Sequence, residues 1–119
     1  MRIMVIGASA DTSKFGNKAV RAYIRQQHTV LPVNPNEQTI ESLTAYPDVT
    51  SPPGPIDRAA LYLPPEIGIT VLQPLADRND VAEFYINPGA ESEALIAEAK
   101  RLNLNPIQAC AIVDINEMP

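Results

Sequence analysis

The sequence has no tryptophan, and aromatic residues make up only 5% of it. A core built from this chain must therefore be mostly valine, isoleucine, leucine and alanine. Cysteine and histidine each occur once, as Cys110 and His28. A single cysteine excludes an internal disulfide, and no cluster of metal-ligating residues offers a starting point for a metal site. Basic residues are scarce, nine Lys and Arg against fourteen Asp and Glu, for a net charge of −5. That balance argues against a general nucleic-acid binder. No apolar run is long enough to cross a bilayer. No signal-like stretch precedes the first apolar segment, so the cytoplasm is the expected location.

What remains is an ordinary globular composition, 45% hydrophobic and 19% charged over 119 residues. This length makes one domain, 1–119, able to bury a core without metals or disulfides. Arg2 to Ile6 is an apolar run stopped by Gly7 and reads as a buried strand. Residues 16–26 read as a helix, with Val20, Tyr23 and Ile24 at core-face spacing. Thr29–Val33 reads as the second strand. Residues 34–56 carry five of the twelve prolines and Gly54, which predicts an irregular, fixed surface loop.

Regular elements resume with a strand over Arg58–Leu63 and a helix over 66–78, weakened by Gly68 and Pro74. A strand over Glu83–Ile86 follows, then a helix over Glu91–Leu102 and a short strand over Pro106–Ala109, which Ala111–Val113 extends or follows. Strands alternating with helices predict an α/β, Rossmann-like, doubly wound parallel sheet of about five strands in three layers. In such a sheet the ligand site lies outside the carboxyl ends of the strands. Those ends are Gly7-Ala8-Ser9, Val33-Asn34-Pro35, Leu63-Pro64-Pro65 and Asn87-Pro88-Gly89, all small or rigid residues.

Charge points to the first of these loops. Residues 1–36 hold Arg2, Lys14, Lys18, Arg21 and Arg25 against Asp11 alone, while the remainder holds four basic residues against thirteen acids. A basic first unit on an acidic chain suits an anionic ligand. A glycine after the first strand and Gly16 at a helix start can set backbone N–H groups around a phosphate, where the helix dipole assists. The stretch from Gly7 to Gly16 spells neither the dinucleotide fingerprint nor a Walker loop. By itself it fits a phosphate cradle or a plain strand-to-helix turn. Lys14 stands in the loop and is the candidate direct phosphate contact, whereas Arg21 and Arg25 read as a solvated helix face. The second strand ends without the acid that would hold an NAD ribose. His28 falls at the amino end of that strand, away from the site, and no paired carboxylates or Ser/Cys–His arrangement suggest a catalytic residue.

In order and spacing, Val5-Ile6-Gly7-Ala8-Ser9, Lys14-Phe15-Gly16-Asn17, Val33-Asn34-Pro35, Leu63-Pro64-Pro65-Glu66 and Asn87-Pro88-Gly89-Ala90-Glu91-Ser92, with the late Cys110, resemble the stand-alone CoA-binding proteins. These are similar to the N-terminal CoA-binding domain of the succinyl-CoA synthetase α subunit. The resemblance implies a CoA-binding Rossmann variant whose ligand is coenzyme A or an acyl-CoA. It implies that Gly7, Ala8, Ser9 and Lys14 to Asn17 surround the CoA phosphates and that Val33, Asn34 and Pro35 lie by the adenosine. It places Pro64, Pro65, Pro88 and Gly89 along the pantetheine path. The chain departs from the pattern at Asn36, where relatives often carry a cation, and at Tyr85 and Asn87. Cys110 reads as a small buried residue, or alternatively as a thiol near the pantetheine end. The expected role is a non-catalytic CoA-binding module, with a partner subunit or a second copy as its protein partner. The alternatives are the CoA-binding subunit of an NDP-forming acyl-CoA synthetase and an NAD-binding redox sensor.

Overall fold

The computed structural model describes residues 1–119. The first strand, β1 (Arg2–Ile6), is followed by α1 (Phe15–Arg25) and β2 (Thr29–Val33). Two short strands, β3 (Thr39–Ile40) and β4 (Leu43–Thr44), pair as an antiparallel hairpin inside the stretch expected to be irregular. Then come β5 (Ile56–Leu61), α2 (Pro65–Gly68), a single 3-10 turn (Ile69–Val71) and α3 (Leu72–Asp77). The chain ends with β6 (Val81–Ile86), α4 (Glu93–Arg101), β7 (Pro106–Gln108) and α5 (Ala111–Asp114).

The five main strands form one parallel sheet in the order β2-β1-β5-β6-β7. Alternate side chains of each strand point to opposite faces, so Ile3 and Val5 join one core and Met4 and Ile6 the other. The first core holds Ala19, Val20 and Tyr23 of α1 with Ala111 and Ile112 of α5. The second holds Leu72 and Leu75 of α3 with Leu95 and Ala99 of α4. This is the three-layer, doubly wound Rossmann-type arrangement that the strand–helix alternation predicts. Aromatic residues are few but central, since Tyr23 and Phe84 are fully buried.

Local chemistry sets where elements stop. Helices α1, α3 and α4 are each followed by a residue of positive φ, namely Gln27, Asn79 and Asn103, the left-handed conformation that ends a helix. The helix expected over 66–78 is instead broken at Ile69–Val71. Pro74 cannot donate to the carbonyl four residues back and crowds it, so the α-helix cannot run through that turn. Residues Ala111–Asp114 form a short helix rather than an extension of the last strand.

One polar network runs beneath α1 and α5, buried at Arg58 and Tyr23 and half-exposed at Glu83 and Asp114. The Arg58 guanidinium donates to the Tyr23 hydroxyl at 3.1 Å and to Asp114 at 2.7 Å, and pairs with Glu83 at 3.2 Å. It lies 4.2 Å from the centre of the Tyr85 ring. Tyr23 in turn donates to the Ala111 carbonyl at 2.7 Å. Burial alone would lower the guanidinium pKa, but the hydrogen bonds to Tyr23 and Asp114 raise it above its ordinary value. Every member of the network has a partner within the chain, as a buried polar group requires.

Candidate functional site

The strand order reverses between β1 and β5, since β1 connects outward to β2 and the next crossover returns to β5 on its other side. Such a switch point opens a crevice at the carboxyl ends of the strands. Gly7 leaves β1 with φ +89°, and a Cβ there would lie 3.0 Å from the Tyr62 backbone carbon. Gly16 lets the start of α1 press against the same turn, where a Cβ would lie 2.2 Å from the Gly7 carbonyl oxygen. These two glycines bring the helix N-terminus directly over the end of β1.

That helix end is open. Lys14 occupies the cap position in an extended conformation and its side chain makes no capping hydrogen bond. The first turn contains no acid. The amides of Phe15 and Gly16 find no acceptor within the chain, so the helix presents unsatisfied donors and its positive dipole end to the crevice. The loop leading to it is fixed by its own contacts. Ser13 donates to the Asp11 carboxylate from its backbone N–H at 2.9 Å and its hydroxyl at 2.7 Å. These hydrogen bonds hold the Asp11 carboxyl below the ordinary carboxylate range.

Two cavities meet beside this helix end. The smaller, about 450 Å³, lies against Ser13, Phe15, Gly16, Pro88, Gly89 and Ala90. The larger, about 710 Å³, is lined by Ala8, Ser9, Val33, Asn34, Pro35 and Asn36 on one side and by Leu63, Ile67, Val71 and Pro74 on the other. Gly7, Lys14, Tyr62 and Pro64 line both, which makes one groove with Lys14 at the junction. Phe15 and Ile67, two of the exposed large apolar side chains, each line one cavity.

Twelve of the fourteen residues singled out in the sequence line this groove, and Asn17 and Pro65 do not. Asn17 is fully buried. Its Nδ2 donates to the Ser9 carbonyl at 2.8 Å and its Oδ1 accepts from Arg21 at 2.7 Å, so it holds the backbone of the loop between β1 and α1 from behind. Arg21 also donates to the Thr12 carbonyl, which makes it a strut of the loop rather than part of a solvated face. Arg25 is exposed and pairs with Glu117. Asn34 donates to the Ala8 carbonyl at 2.9 Å and ties the second loop to the first. Cys110 stands at the start of α5 without a side-chain capping hydrogen bond, is half-buried rather than buried, and lines neither cavity. His28 lies at the far end of the sheet, 2.8 Å from the N-terminal amine. No group of three or more metal-ligating side chains occurs, and no helix is long and apolar enough to cross a membrane.

Two parts of the groove escaped the sequence. Tyr62 and Leu63 read as strand, but β5 stops at Leu61 and both residues turn into the groove wall. The segment Pro47–Thr50, in the proline-rich stretch, forms the outer wall of the larger cavity. It is held by the Arg78 guanidinium, which donates to the carbonyls of Val49 at 3.0 Å and Pro52 at 2.8 Å.

Fold and crevice together define a Rossmann-type α/β domain with an anion-ready helix end at its switch point. The chain belongs to the CoA binding domain family, whose model matches residues 1–116. It is similar to a conserved hypothetical protein from Pyrococcus furiosus, at 29% identity and a TM-score of 0.84 over 95% of this chain and 97% of that one. A Thermus thermophilus protein, cell-free ID.343, has the same fold at 22% identity and a TM-score of 0.86, over 97% of this chain and 87% of its own. So does the dinucleotide-forming acetyl-coenzyme A synthetase 1 of Ca. Korarchaeum cryptofilum, at 23% identity and a TM-score of 0.78, over 91% of this chain but only 26% of the synthetase. No curated protein matches the sequence.

Proposed function

We propose that the groove binds coenzyme A or an acyl-CoA, and that this chain is a binding module without chemistry of its own. The observation that carries this reading is the uncapped start of α1, with Lys14 at the junction of the two cavities. The CoA pyrophosphate sits on the free amides of Phe15 and Gly16, with the Lys14 ammonium beside it. The adenosine occupies the larger cavity between the Val33-Asn34-Pro35 loop and the apolar wall of Leu63 and Val71. The pantetheine arm runs through the smaller one past Pro64, Pro88 and Gly89. Neither cavity is lined by a histidine or a cysteine, which fits binding rather than covalent catalysis. In the synthetase the corresponding domain is about a quarter of a longer chain, and a partner subunit is one setting in which CoA held here would serve a reaction.

Titration calorimetry tests the assignment directly. CoA should bind the wild-type protein, and Lys14→Ala should weaken it by about 1–2 kcal/mol, the scale of a charge-assisted hydrogen bond. Arg25→Ala, on the same helix but paired with Glu117, should leave affinity unchanged. Equal losses in the two variants would remove Lys14 from the site. Absence of CoA binding, or tighter binding of NAD than of CoA, would overturn the reading.

A further inference from the structure

Only two charged side chains line the larger cavity, Lys14 where it joins the smaller one and Asp48 on its outer wall. Asp48 reaches that wall through an extension of the sheet. Tyr46 bridges Val33 in parallel register, with the Asn34 N–H donating to the Tyr46 carbonyl at 2.9 Å and the Tyr46 N–H to the Pro32 carbonyl at 2.8 Å. Two residues further on, in the bend that follows the bridge, Asp48 lines the same cavity as Val33, Asn34 and Pro35. In dinucleotide-binding relatives of this architecture an acid at the end of the second strand accepts a hydrogen bond from a ribose hydroxyl. Here β2 itself ends in Val33-Asn34-Pro35, and the acid comes from the neighbouring segment.

The carboxylate is oriented and ionised. Its Oδ1 accepts from the backbone N–H and hydroxyl groups of Thr50 and Ser51, at 2.7 to 3.1 Å. Those hydrogen bonds hold the Asp48 carboxyl below the usual carboxylate range. Its Oδ2 has no partner in the chain. Lys14 is the one cation that lines this cavity, and Asn36 lines it as an uncharged side chain.

We propose that Asp48 is a specificity-determining residue that accepts a hydrogen bond from the ligand's adenosine ribose and repels a phosphate on that sugar. The preferred ligand is then a nucleotide with an unphosphorylated ribose, dephospho-CoA ahead of CoA. The inference rests on the CoA reading of the groove and adds the state of the ribose to it. Lys14 attracts the pyrophosphate, whereas Asp48 favours hydroxyl donors and opposes a second anionic group.

The test is titration of CoA and dephospho-CoA into the wild-type protein and two variants at fixed salt. Dephospho-CoA should bind wild type about tenfold more tightly than CoA. Asp48→Asn keeps an oxygen for Thr50 and Ser51 and removes the charge. It should bring the two ligands to within about twofold, chiefly by tightening CoA. Asn36→Lys, whose side chain takes no part in the Asp48 turn, should shift the ratio toward CoA even if Asp48→Asn fails to fold. CoA binding to wild type as tightly as dephospho-CoA, or a preference unaltered in the variants, overturns the ribose inference alone. Failure of both ligands to bind overturns the CoA reading and this inference together.

Discussion

The two long helices both start at the carboxyl edge of the sheet, and their first turns are built in opposite ways. Helix α4 closes its own end. The Ser92 hydroxyl accepts from the Leu95 N–H at 3.1 Å, and Glu93 places a negative charge in the first turn. Nearby, the Gly89 N–H is taken by the Glu91 carboxylate at 2.8 Å. Helix α1 has Lys14 where Ser92 stands in α4, no acid in its first turn, and amides with no acceptor. A helix that serves only the fold gains about 1 kcal/mol from a side-chain cap. Leaving that stabilisation out, and adding a cation, suits an end meant for an anion supplied from outside. Of the two helix starts, α1 is therefore the one open to an anion, and α4 is closed by its own side chains.

Lys14→Asp breaks this contrast most strongly, because it moves stability and binding in opposite directions. A carboxylate in the extended conformation of residue 14 can accept from the free amides of the first turn. The ligand-free protein should gain about 0.5–1 kcal/mol. The same carboxylate would occupy the position proposed for the phosphate and replace an attractive charge by a repulsive one. CoA affinity should fall by about 3 kcal/mol, roughly a hundredfold or more. Thermal melts and titrations on one preparation read both effects, and CoA binding that survives the substitution would show that the phosphates lie elsewhere. Ser92→Ala is the converse and smaller change. Losing the cap should cost about 1 kcal/mol of stability, while CoA affinity should stay within about twofold of wild type. A large loss of affinity in this variant would place ligand contacts at α4 and erase the distinction between the two ends.

Periodicity made most of this architecture legible. The run Ile3–Ile6 stops at Gly7 as a buried strand should, and Val20 and Tyr23 mark the inner side of α1, whereas Ile24, expected on the same face, is exposed. The parts that were misread depend on partners far along the chain. Tyr62 and Leu63 are as apolar as the strand before them, and nothing local shows that the β1–β5 pairing ends at Ile6 and Leu61. The apolar run Ala111–Val113 could extend the last strand or follow it, and distant contacts decide between the two: the Ala111 N–H donates to Asn87 and its carbonyl accepts from Tyr23. The hairpin turn at Glu41 and Ser42 takes positive φ at both residues without a glycine or asparagine to announce it. The groove's inner residues were visible because the strand ends carry glycine and proline. Asp48 was not, because it reaches the end of β2 only through the pairing of Tyr46 with Val33.

Tyr62 sharpens the comparison at the smallest scale. Its residue lines both cavities, but its hydroxyl is sealed from solvent and has no hydrogen-bond partner in the chain. Burial raises the phenol pKa, with Cys110 beside it adding to the effect, so the group stays a neutral hydroxyl. Unlike the open amides of α1, this polar group is closed off within the fold. A buried hydroxyl without a partner forfeits its hydrogen bonds to water and returns nothing to the fold. Tyr62→Phe keeps the ring and removes that burden. Stability should hold or rise by up to about 1 kcal/mol, and CoA affinity should remain within about twofold of wild type. Melting temperature and a CoA titration measure the two outcomes. A loss of stability would mean that the hydroxyl has a bound water as its partner. A selective loss of affinity would mean that the side chain turns its oxygen into the groove when CoA binds, and α1 would then no longer be the only end of the sheet that keeps polar groups open for the ligand.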